Sequence, residues 1–177
     1  MLHQLLYAVG TLAAYAMKEL MNMTNQAYRK RLNRLFQGEV FGEAAYLMAA
    51  RCTGCPQRRH KWDTLRKLET QTKIQLHAVL FQNGWGANEQ TRYKFLGCAV
   101  GMFAAILPWR LSLKFLELIV CTGLKTLDRF VNRAPSDEKE FAESVLDHER
   151  AQYEFVQREL HGDEKSSLDQ VLILLKT

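Results

Sequence analysis

Four side chains of the kinds that bind cations each fall on the apolar seam of a different helical segment: Glu39, Glu69, Glu117 and His148. Glu39 and Glu43 recur with Leu32, Leu35, Phe36 and Leu47 at three- and four-residue steps, and Glu69 does so with Trp62, Leu65, Thr72, Leu76 and Val79 or Leu80. Glu117 shares a face with Leu113, Val120, Leu124 and Leu127, and His148 with Phe141, Val145, Gln152 and Phe155. Such spacing puts each set on one side of a helix. An unpaired carboxylate costs on the order of several kcal/mol to bury. These groups must therefore be neutralised by one another, by basic side chains or by a cation. A pair of metal ions at the centre of a bundle does this directly, held by one Glu from each of two helices and an acid-plus-His pair from each of the other two.

The elements that must position these residues are all helical. The three prolines, at 56, 108 and 135, divide the chain into long stretches, and alternating β-branched runs are scarce. The expected elements are a leading apolar helix over about 2–22, then helices over about 24–50, 60–83, 95–107, 109–132 and 137–160, and a short docking helix within about 166–176. The polar stretch 22–25, Cys52-Thr-Gly-Cys-Pro56, Asn83-Gly84, Pro108, Ala134-Pro-Ser-Asp137 and His161-Gly162 mark the breaks, and Asp137 with Glu140 offers an N-terminal cap. No repeat or flexible linker interrupts them, so the chain reads as one domain over 1–177 with its bundle over about 24–161.

Composition bounds the function. Hydrophobic residues are 47% and charged residues 24% of 177, a globular balance that argues against disorder and against an integral membrane protein. A chain of this length buries enough surface to fold without a metal or disulfide, so a metal would serve function. The thirteen uncharged residues 95–107 are too few for a membrane span, which needs about twenty. The net charge is +5, with Arg29, Lys30, Arg31, Arg34, Arg51, Arg58, Arg59, Lys61, Arg66 and Lys67 concentrated in one stretch. That asymmetry suits an anionic partner, phospholipid ahead of nucleic acid, since no known nucleic-acid-reading motif is present. Four cysteines fit a reducing cytoplasm, and Ala14-Tyr15-Ala16 resembles a leader cleavage site only faintly because no Lys or Arg precedes it.

Gly38-Glu39-Val40-Phe41-Gly42-Glu43, Leu68-Glu69 thirty residues after Glu39, the Gly97/Gly101 helix before Glu117, and Leu146-Asp147-His148-Glu149 together resemble the ferritin-like di-iron carboxylate superfamily. Within it the chain is most similar to the demethoxyubiquinone hydroxylase type, over about residues 25–160. The resemblance implies an antiparallel four-helix bundle with extra apolar helices. It further implies two iron ions on Glu39, Glu69, Glu117 and His148, activation of dioxygen, and oxidation of an apolar or membrane-derived substrate. The segment comparable to 95–107 is implied to lie at a membrane surface, which would place the protein peripherally on the inner face of a membrane.

Two positions depart from the pattern. Thr72 stands where the family's second acid-x-x-His puts histidine, with His77 the nearest one, and Val145 stands three residues before His148 in place of an acid. An alternative register would draw on Glu143, Asp147 or Glu149, and Glu43 also lies near the seam. A second reading therefore stays open: a metal-free bundle of the same fold that binds lipid, protein or RNA, with Glu39 or Glu43 paired to the basic residues at 31 and 34 and Glu117 to Lys114. Cys52-x-x-Cys55 closes a helix and precedes Pro56, the reverse of a thioredoxin-type placement, so its expected role is structural. Neither G-x-S-x-G nor a phosphate-binding G-x-x-x-x-G-K-[ST] occurs.

Overall fold

The computed structural model describes residues 2–132, 134 and 138–176, with side chains from Gln26 onward. Its six helices are α1 (Leu2–Cys52), α2 (Pro56–Gln82), α3 (Thr91–Ile106), α4 (Trp109–Val131), α5 (Lys139–Leu160) and α6 (Asp169–Leu174), with no strand among the described residues. The break expected at 22–25 is absent: α1 runs unbroken through it. Asn and Thr are weak helix formers, but they remove no backbone donor and force no special dihedral, unlike proline. The side chains of the leading apolar stretch and the cap at Asp137 lie outside the described residues.

Proline and glycine set the other boundaries. Cys55, restricted by Pro56, is extended at φ −90°, ψ 119°, which ends α1 and lets Pro56 open α2. Leu107 before Pro108 is likewise extended at φ −69°, ψ 151°. After α2, Gly84 takes φ +70°, a conformation costly for any residue with a Cβ.

α1 and α2 form an antiparallel hairpin, as do α4 and α5, and α2 meets α5 across the middle. α3 lies along α1 at close range: a Cβ at Gly97 would come within 2.3 Å of Phe41 O and one at Gly101 within 2.0 Å of Ala45 O. Little of α1 touches α4 directly, and the space between them is a cavity.

Two apolar cores stack along the long axis. One gathers Tyr46, Trp62, Leu65, Leu113, Val120 and Phe155, and the other Leu32, Phe36, Leu76, Leu80, Phe130 and Val145. The buried polar side chains Glu39, Glu69, Thr72, His148 and Gln152 lie between these two sets in sequence on α1, α2 and α5, while α4, which also contributes to both cores, adds none of them.

Candidate metal centre

Glu39 on α1, Glu69 on α2 and His148 on α5 converge, each offering a ligand atom within 4.8 Å of the others. His148 Nε2 lies 3.4 Å from Glu69 Oε1 and 3.7 Å from Glu39 Oε2. Glycine makes room for the carboxylate of α2: a Cβ at Gly42 would stand 2.1 Å from Glu69 Oε2. Glu39 Oε2 is buried and has no hydrogen-bond partner among the described residues.

A polar chain holds the imidazole. Thr72 Oγ1 lies 2.6 Å from His148 Nδ1, and Gln152 Nε2 lies 2.6 Å from both Glu69 Oε1 and His148 Nε2. The Tyr46 hydroxyl donates to Gln152 Oε1. When Gln152 donates to Nε2 the ring is neutral, its Nδ1–H donates to Thr72 and Nε2 is the lone-pair nitrogen; when the ring is protonated, its Nε2–H faces Glu69 instead.

The electrostatics are those of crowded acids. Burial, then the negative charge of Glu69 and a hydrogen bond that the protonated Glu39 carboxyl makes with it, then the charge of Glu149, hold the Glu39 carboxyl well above the usual carboxylate range. Burial lifts Glu149 to about 7, with His148 opposing and Glu69 adding. Burial works to lower His148, but its contact with Glu69 outweighs this and raises it. Burial and the same three carboxylates push the Tyr46 phenol up.

Glu149 is the residue that the periodicity of α5 placed only in second rank. It lines the same cavity as Glu39 and Glu69, because a Cβ at Gly123 of α4 would stand 2.4 Å from its Oε1 and glycine leaves that space open. Tyr46 and Gln152 also escaped the choice of site residues. The available signal was spacing, Tyr46 two turns after Glu39 and Gln152 one turn after His148.

The other candidates go elsewhere. Glu117 is half-buried and accepts from Gln157 Nε2 at 2.6 Å, with no ion pair to Lys114. Glu43 accepts from Thr70 at 2.6 Å and pairs with Lys73 of α2, not with the arginines at 31 and 34. His77 is exposed against the Phe36 ring, Glu143 is exposed, and Asp147 is exposed and paired with Arg150 at 3.0 Å. The donors brought together therefore fit one cation: the unpartnered Glu39 oxygen, the Glu69 carboxylate and the His148 nitrogen, with Glu149 beside them. They do not fit two ions, for which a second set of ligands would have to come from Glu117, Glu43 or His77.

The cavity beside these groups has a volume of about 280 Å³ and is walled by Phe41, Ala45, Ala104, Phe115, Ile119 and Val120. The class that fold and site define is an all-helical protein with a buried Glu-Glu-His cluster opening on an apolar cavity. Comparison with protein-family models, characterised proteins and solved structures finds no match.

Proposed function

We propose that Glu39, Glu69 and His148 hold one divalent iron or manganese ion, and that the protein is a non-haem metal oxidoreductase acting on an apolar substrate in the α1–α3–α4 cavity. The observation that carries this reading is the buried, unpartnered Glu39 Oε2 beside a second carboxylate and an imidazole nitrogen. Carboxylate oxygens with one imidazole suit iron or manganese better than zinc in a site without thiolate. When bound, such an ion would supply activation of dioxygen.

The chain's own residues do the rest. Thr72 fixes the ring of His148 so that Nε2 faces the carboxylates, the usual work of an outer hydrogen-bond partner. Gln152 and Tyr46 brace Glu69 from the opposite side. Glu149 can hold or release a proton at the cavity wall near neutral pH. The aromatic and aliphatic lining excludes water and favours an apolar ligand.

The exposed face of α3 supports delivery from a bilayer. Phe95, Leu96, Met102, Phe103 and Ile106 are half or more exposed, and Arg92, Lys94, Arg110 and Lys114 flank them with no acid between Thr91 and Leu116. No described helix is long and apolar enough to cross a membrane, so α3 would lie on the surface. In this reading α1, α2, α4 and α5 are the four helices of a ferritin-like bundle.

Elemental analysis of protein produced with added iron or manganese tests the proposal, alongside E69A and H148A. One equivalent of metal, lost in both variants while helicity is retained, is the expected result. A metal-free wild type would leave the second reading, a bundle that binds without catalysing. That reading is favoured by Gln152 and Thr72, which already satisfy Glu69 and His148 without an ion.

A further inference from the structure

The cavity has a charged mouth. At its end between the middle of α1 and the last turns of α4 it continues into a cleft of about 220 Å³ that shares Arg34, Leu35 and Thr126 with it and adds Arg31, Arg129 and Phe130. Arg31 and Arg34 lie one turn apart on α1, and Thr126 and Arg129 one turn apart on α4, so both pairs face the cleft from opposite walls. None of the three arginines makes an ion pair among the described residues. No Asp or Glu occurs between Glu19 and Glu39 on this side of α1.

Guanidinium groups left unpaired around a concave, partly apolar cleft suit an oxyanion, which they grip through paired N–H donors; the Thr126 hydroxyl stands beside them. Inward from the arginines the lining turns apolar, through Leu35 and Leu127 to Phe115 and Ile119. Polarity thus runs from cationic at the mouth to apolar along the α3 and α4 walls, with the Glu39, Glu69 and Glu149 carboxylates lining the interior from α1, α2 and α5.

We propose that this space binds a single-chain amphiphile, its phosphate or carboxylate head on Arg31, Arg34 and Arg129 and its apolar chain running into the cavity toward Glu149. The inference deepens the proposed function by naming a ligand class for its cavity. It needs no metal at Glu39, so chelator-treated protein tests it apart from that reading.

Dodecyl phosphate, dodecanoate, dodecanol and inorganic phosphate are titrated by calorimetry into chelator-treated full-length protein, into R34Q/R129Q and into G38F. Gly38 lines the cavity, and a Cβ there meets nothing within 4 Å, so a side chain can enter from this position and a phenyl ring is large enough to obstruct the space. The expected result is binding of one or both anionic amphiphiles, weakened tenfold or more in R34Q/R129Q and lost in G38F, with circular dichroism unchanged. The tighter of the two identifies the head as phosphate or carboxylate. Equal affinity for dodecanol, equal affinity for inorganic phosphate, or affinity unchanged in R34Q/R129Q would overturn the proposal.

Discussion

Two buried charged clusters in this protein are built to opposite rules. At one end, Lys61 of α2 pairs with Glu159 of α5, whose other oxygen accepts from Trp109 Nε1 at 2.8 Å, and the Trp109 ring lies under Lys61 and Arg58. The Lys61 and Glu159 charges neutralise each other, so the cluster ties α2, α4 and α5 together. In the middle, Glu39, Glu69 and Glu149 face one imidazole with no Lys or Arg in ion-pair contact, and one carboxylate oxygen has no partner. A self-neutralised cluster is a fastening. An under-neutralised one takes up protons or a cation.

The largest effect expected from breaking this contrast is at the fastening. E159A removes the buried partner of the Lys61 ammonium and leaves it only the exposed Glu164 at 3.8 Å, which costs about 3 kcal/mol; urea unfolding should show the loss, with the midpoint falling and the slope unchanged.

The central cluster should show itself next, through pH. Glu39, Glu149 and His148 all bind protons more tightly folded than unfolded. Between the unfolded and folded values the native state then carries the extra protons, so stability falls as pH rises. For Glu149 the window runs from its ordinary 4.5 to about 7. His148 contributes stability that is complete below 6.5 and lost as pH climbs through its raised value. Chelator-treated protein should therefore lose a few kcal/mol between about pH 5 and 8, measured by urea unfolding at each pH. A flat profile would contradict the crowding of acids.

A smaller effect, of opposite sign to E159A, is expected from E39Q. Removing one of the mutually repelling carboxylates should stabilise chelator-treated protein by about 1 kcal/mol at pH 7.5, again read from unfolding, and should flatten the pH profile.

The sequence carried the helices well where backbone chemistry dictates. Pro56, Pro108, Gly84 and Gly162 end or begin elements as their dihedral limits require. It misled at 22–25, where polarity was mistaken for a break although nothing there forbids a helix. For the site, seam periodicity placed Glu39, Glu69 and His148 together but could not exclude Glu117, because a helix face fixes direction and not depth. Glu117 lies along α4 beside Gln157, away from the other three. Glu149 sits 100° around α5 from His148 and reaches the cavity only because Gly123 of the facing helix leaves room, a pairwise fact that single-helix periodicity does not contain.

The most direct test of the central claim is a manganese(II) titration of chelator-treated protein followed by electron paramagnetic resonance. The account predicts that the six-line signal of free manganese is suppressed until one equivalent is bound in the wild type, as well in K61M, and not at all in E39Q. Free-ion signal from the first addition to the wild type, or uptake by E39Q equal to that of the wild type, would contradict it.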